Sequence, residues 1–215
     1  MELRKEMFQG EYAVKGEWGL AETRASFDYV LMGGGGHDIH FGIYKSPTDG
    51  VKESSDYTTE WMMTQMEWAK PIDANCHVLD LGSGHGGGSH AMAKRWGCKV
   101  TGYNLGPGQN ALNMERCAEI GVDHLVDAKV GNINDPLPAE WTGKFDLVWS
   151  CEVLCHAGDK VALFKELMRC LKPGGVFVFD TINRTFASYV LAIALAQEGL
   201  RLVPPNTHDW RLFIK

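Results

Sequence analysis

A doubly wound, mostly parallel α/β sheet is predicted by three observations. From about residue 71 onward, short apolar runs alternate with stretches of helical composition, the pattern of strand–helix–strand units. The runs are largely continuous in apolar residues, as strands buried on both faces are. A glycine-rich turn, Gly82, Gly84, Gly86, Gly87 and Gly88, stands between the first run and the first helix of the series. Glycine there allows positive φ and lets a ligand approach main-chain N–H groups.

The elements follow in order. Val78 to Leu81 is the first strand, and Ser89 to Trp96, with Ala91, Met92 and Ala93, the helix after it. Lys99 to Tyr103 is the second strand and Gln109 to Ile120 its helix. Ala128 to Val130 is a short third strand, Phe145 to Ser150 a fourth, and Lys160 to Cys170 the next helix. "LKPGG" is a helix stop and turn, and Val176 to Thr181 is the fifth strand. Right-handed crossovers place these strands in the order 3-2-1-4-5, with a ligand at their carboxyl ends. Residues 71–182 form this core, and 183–215 an apolar helix and tail. Residues 1–70 read as an N-terminal helical lid that contributes to the substrate site. It is interrupted by "MGGGGHDIHFGIY" and closes with a helix over Thr58 to Lys70 before Pro71.

Composition narrows the function classes. The 215 residues are 45% apolar and 22% charged, which excludes a disordered chain. A net charge of −6 with no Lys/Arg block argues against a nucleic-acid partner. The first residues mix both charge signs without an apolar run, so no secretory leader is expected and the cytoplasm is the expected location. Six cysteines form no C-x-x-C pair and are expected as reduced thiols. Cys151, Cys155 and His156 stand close in sequence, but a zinc site needs further ligands, and no metal is assigned.

Gly82, Gly84 and Gly87 fit G-x-G-x-x-G, the dinucleotide fingerprint. That reading wants an acid at the end of the second strand, where Asn104 stands, and leaves Asp80 and "FDLVWSCEVLCH" unexplained. "VLDLGSGHGGG", "FDLVWSCEVLCH" and "LKPGG" together resemble, in order, three motifs of the class I S-adenosylmethionine-dependent methyltransferases, over roughly residues 60–182. The resemblance implies S-adenosyl-L-methionine as cofactor. The Gly82 and Gly84 amides would receive its amino-acid end, with Ser83 in the same turn and Asp80 helping to anchor the loop, and Asn104 would hold its ribose, where most members carry Asp or Glu. Asn132 and Ile133, in "GNIND", would meet the adenine, and Leu105, Gln109 and Ser150 complete the cofactor set.

The acceptor is read from two narrower resemblances. "GGGGHDIHFGIY" together with "VLDLGSGHGGG" is similar to sarcosine/dimethylglycine N-methyltransferases, which make glycine betaine. The tail, from "INRTFASYV" to "THDWRLFIK", resembles ubiquinone-biosynthesis O-methyltransferases. The expected function is therefore methyl transfer to a small amine of the glycine/sarcosine/dimethylglycine type. The alternatives are a polyprenyl-quinol or catechol O-methyltransferase and a non-catalytic cofactor-binding paralogue. His156 is the expected base, since imidazole titrates near neutrality, with His37 and His40 behind it. Tyr29, His40, Tyr44 and Trp149 are the expected substrate contacts, aromatic faces suiting a methylated ammonium. "SYVLAIALA" (188–196) reads as a buried or dimer-interface helix, with shallow contact at a membrane surface as the other reading. Members of the class end in an antiparallel strand pair. Only 34 residues follow Thr181, and no such pair is legible, so an open fifth-strand edge and self-association are expected.

Overall fold

The computed structural model describes residues 38–40, 42–200 and 207–215. Tyr29, His37 and most of the expected lid lie outside the described residues. The core elements are α1 (Val51–Ala69), β1 (His77–Leu81), α2 (Gly87–Trp96), β2 (Lys99–Asn104), α3 (Pro107–Ile120), β3 (Val126–Val130), β4 (Phe145–Ser150), α4 (Lys160–Cys170) and β5 (Leu171–Phe179). The five strands make one parallel sheet in the order β3-β2-β1-β4-β5, the order predicted.

Most boundaries lie within two residues of expectation; two element starts differ by five residues or more, each for a physical reason. α1 starts at Val51 rather than Thr58 because its first turns bury hydroxyls, Ser54, Ser55, Thr58 and Thr59, which an apolar pattern does not register. Those hydroxyls hold the strip before the helix: Ser55 Oγ donates to the His40 carbonyl at 3.0 Å, and the Ile43 amide donates to Thr58 Oγ1 at 2.9 Å. β5 starts at Leu171 because that residue pairs with Phe145; the register then shifts, and Val176 resumes opposite Leu147. Gly174, at φ +75°, makes the intervening turn.

Strand alternation sends side chains into two cores. Val78, Val100, Leu147 and Trp149 join Met62, Met63 and Met66 of α1, Met92 and Ala93 of α2 and Cys117 of α3. Leu79, Leu81, Tyr103, Phe145 and Val148 join Leu163 and Leu167 of α4 on the other face, with Trp141. Each fully buried Leu contributes about 1.5–3 kcal/mol relative to exposure. Trp149, expected as a substrate contact, is 2% exposed and packs in the α2-side core. Its indole lies against Gly88, where an added Cβ would stand 2.8 Å from Nε1.

After β5 the chain makes a helical turn at Phe186–Ser188, capped reciprocally by Thr185 and Ser188, and continues as a wide helix over Tyr189–Gly199. Its i→i+5 closure is seen where the Leu200 amide donates to the Leu195 carbonyl at 2.7 Å. The expectation of a buried helix does not hold here, since Tyr189, Leu191 and Leu195 are exposed and Gln197 is the buried residue of the segment. No helix among the described residues is long and apolar enough to cross a membrane. Among those residues the sheet ends at β5, and the tail comes back alongside the segment after it through an isolated parallel bridge, Asn183 to Ile214.

Asp146 ties the amino ends of three neighbouring strands. It accepts from Lys172 Nζ at 2.7 Å, the His77 amide at 2.9 Å and Lys70 Nζ at 3.3 Å. Burial alone would raise its pKa, but these donors prevail and hold it below the usual carboxylate value. A carboxylate with a depressed folded pKa adds stability above its unfolded pKa and loses it as pH falls through the folded value. Asp146→Ala should cost about 1–3 kcal/mol in urea unfolding at neutral pH. The acid limb of its stability curve should be flatter than that of the unmodified chain.

Candidate functional site

The turn from β1 into α2 is built from glycines in a conformation other residues resist. Gly82, Gly84 and Gly86 have φ of +77°, +51° and +90°. Their surroundings also leave no room for a side chain. A Cβ on Gly82 would lie 2.1 Å from Val153 Cγ2, one on Gly86 2.2 Å from Asn113 Oδ1, and one on Gly84 3.1 Å from Ile39 Cδ1. The loop after β4, helix α3 and the strip at 38–40 thus all close on this turn. Gly86 caps α2 without a side-chain hydrogen bond, so first-turn amides face the turn as donors.

Beneath the turn lies Asp80, 2% exposed, accepting the Ser89 hydroxyl at 2.6 Å. Burial pushes its pKa up to about 7; the Ser89 bond pulls the other way, Asp38 raises it further and His40 lowers it. Such a carboxyl gains most from a nearby cation. Two further hydroxyls, Ser83 Oγ and Ser150 Oγ, are buried here without a hydrogen-bond partner. Ser83 Oγ stands 2.9 Å from where a Cβ on Gly102 would lie.

At the end of β2, Asn104 Nδ2 donates to Gln109 Oε1 at 2.8 Å, so these two expected residues are brought together, flanking a half-buried Leu105. At the end of β3, Asn132 Oδ1 accepts the Asn134 amide at 3.0 Å, an Asx turn that fixes the loop. Ile133 packs on the α4-side core.

The acceptor side is more mixed. His156 ends the turn Leu154–His156, and its ring stacks on His208 at 5.1 Å with an interplanar angle of 24°. Burial pushes His208 down to about 4, so that ring is neutral. His40 is buried, 3.4 Å from the Asp38 carboxylate and 3.3 Å from Thr59 Oγ1, within the strip that closes on the turn. Tyr44 is 54% exposed. Sequence reading missed Glu152, Asp180 and His208. Glu152, at φ +53°, is the one non-glycine with positive φ among the described residues, and its amide donates to Asp180 Oδ1 at 2.6 Å. That conformation costs about 1–3 kcal/mol and marks a position fixed by its surroundings. No local pattern announces it, and His208 reaches His156 only through tertiary folding of the tail.

Gly82→Ala should destabilise the chain by at least about 1–3 kcal/mol, because strain at positive φ adds to the clash with Val153. Thermal unfolding of the variant checks this, with Gly121→Ala as the comparison, a positive-φ glycine with open space around it.

Residues 79–179 match a family model described as a methyltransferase domain. The glycine/sarcosine/dimethylglycine N-methyltransferase of Actinopolyspora halophila is 35% identical over 74% of this chain and 27% of its own length. The ubiquinone biosynthesis O-methyltransferase of Xanthomonas oryzae pv. oryzae is 39% identical over 66% of this chain and 58% of its own. A solved structure, a putative sarcosine dimethylglycine methyltransferase from Galdieria sulphuraria, superposes with a TM-score of 0.67 at 29% identity, covering 79% of this chain and 59% of that one. The chain therefore spans between about a quarter and three fifths of the length of these relatives.

Proposed function

We propose that this chain, whose residues 79–179 match a methyltransferase-domain family model, transfers a methyl group from S-adenosyl-L-methionine to a small amine of the glycine/sarcosine/dimethylglycine type. The observation that carries the first half is the bare glycine turn above a buried Asp80, whose pKa burial pushes up to about 7. The turn's amides suit a carboxylate, Asp80 an ammonium or sulfonium, and the unpartnered Ser83 and Ser150 hydroxyls supply further hydrogen bonds. Asn104 and Gln109 would hold the ribose hydroxyls, Asn132 and Ile133 the adenine, with Leu105 beside them. S-adenosylmethionine supplies an electrophilic methyl group when bound. The chain's own part is alignment and exclusion of water, which the closure of Val153 and Ile39 on the turn serves. The acceptor nitrogen must be neutral, and His156 would take its proton. Six free cysteines suit a reducing compartment, so the proposed place of action is the cytoplasm.

The amine reading draws on the names of the Actinopolyspora and Galdieria proteins and on the strip at 38–40, part of the stretch "GGGGHDIHFGIY" whose sequence resembles such enzymes. A second reading, methyl transfer to a catechol or polyprenyl quinol, draws on the Xanthomonas relatives and the exposed apolar face at Leu191 and Leu195.

Titration calorimetry with S-adenosylmethionine should show binding well below millimolar; its absence overturns the reading. Affinity should fall by up to about tenfold per pH unit below about 7, since the Asp80 carboxyl is then protonated and must ionise to face a cation. Asp80→Asn should remove that dependence. His156→Ala should lower kcat by about 10²-fold with cofactor affinity unchanged. Turnover of sarcosine and dimethylglycine but not catechols separates the amine reading from the quinol one.

A further inference from the structure

Cys155, His156 and His208 each bring one donor atom, a sulfur and two ring nitrogens, to within 4.8 Å of one another. The first two lie on the turn after β4, and the third comes from the tail. The geometry is anchored on both sides. Cys155 is buried, and Phe213, also buried, packs its ring edge-on against His208 at 6.1 Å. The His208 amide donates to Gln197 Oε1 at 2.8 Å. Its Nδ1 is buried without a hydrogen-bond partner, an orphan that a ligand would satisfy.

We propose that Cys155, His156 and His208 form a binding site for a zinc-class divalent cation, with a fourth position open to water or an acceptor heteroatom. One thiol and two imidazoles are a borderline-soft donor set; calcium and magnesium require oxygen ligands, which this trio does not supply. Zinc bonds of about 2.0–2.3 Å set tetrahedral donors about 3.5 Å apart, so the trio closes by about 1 Å on loading. The Cys155 thiol, which now donates to the Glu152 carbonyl at 3.1 Å, gives up its proton to solvent, and the thiolate takes the metal. With the ion in place His156 is a ligand rather than the base proposed for the metal-free chain, and a water or acceptor O–H in the fourth position is acidified by the metal. Loading also clips the tail to the turn after β4. The proposal stands on these three side chains and does not depend on which acceptor is methylated.

The test uses the full chain, stripped with a chelator and titrated with zinc and then cadmium. The expected result is one equivalent bound at micromolar or tighter affinity, and a thiolate-to-cadmium charge-transfer band in the ultraviolet. Cys155→Ser should abolish the band. His208→Ala should weaken zinc binding at least about tenfold, and His208→Phe, which keeps the aromatic stack without a ligand atom, should do the same if the alanine variant fails to fold. Binding no tighter than millimolar, or equal affinity in the Cys155 and His208 variants, would overturn the proposal. S-adenosylmethionine affinity, measured separately, reports on the methyltransferase reading alone.

Discussion

The close approach of Val153 to Gly82 is the contact on which the site's arrangement depends. Two loops that leave the sheet at the ends of adjacent strands, β1 and β4, meet where the Val153 side chain packs directly on the bare backbone of Gly82. That contact sets how far the turn after β4 stands from the glycine cradle, and so how far His156 can be from whatever the cradle holds. It also explains why the neighbouring backbone is forced: Glu152, one residue earlier, takes a positive φ and is held by Asp180 at the end of β5. Three consecutive strands of the sheet therefore meet in one small region, each contributing a turn rather than a long side chain.

Much of this was legible in the sequence because it is written in local patterns. The strand order followed from alternation and handedness, and the glycine turn announced a close backbone approach before any contact was known. Asn104 and Gln109 were read as neighbours of one ligand and turn out to be hydrogen-bonded to each other. What could not be read were relations between distant segments. Trp149 was read as a substrate contact for its aromatic face; the parity of β4 turns it onto Gly88 and the α2 face, while Val148 goes to the other core. The first two turns of α1 were missed because their buried face is hydroxyl rather than apolar, and it is bonded to the strip that precedes it. His208 carries no motif of its own; only the return of the tail across the end of the sheet brings it to His156.

The wide helix after β5 is the least conventional element. Its apolar residues have no core to enter, since the α4-side core is already filled by Leu163, Leu167 and Phe145. Gln197 is instead the side chain turned inward, where it accepts the His208 amide and so joins the helix to the tail. A polar anchor with an apolar exterior is the reverse of the usual amphipathic arrangement. It leaves Tyr189, Leu191 and Leu195 exposed on the segment that follows β5, the last strand of the sheet among the described residues.

Asp146 gives the sheet a second pole. At the amino ends of β1, β4 and β5 a single carboxylate gathers two lysines and a main-chain amide, while at the carboxyl ends the backbone is left bare for a ligand. The anchoring carboxylate and the proposed site thus lie at opposite rims of the same sheet, separated by the length of a strand. Changes at the two rims share no partners, so their energetic effects should combine independently. Such a chain can be made more robust at one rim while the other drifts toward new acceptors, a division that lets one scaffold diversify its chemistry without renegotiating its fold.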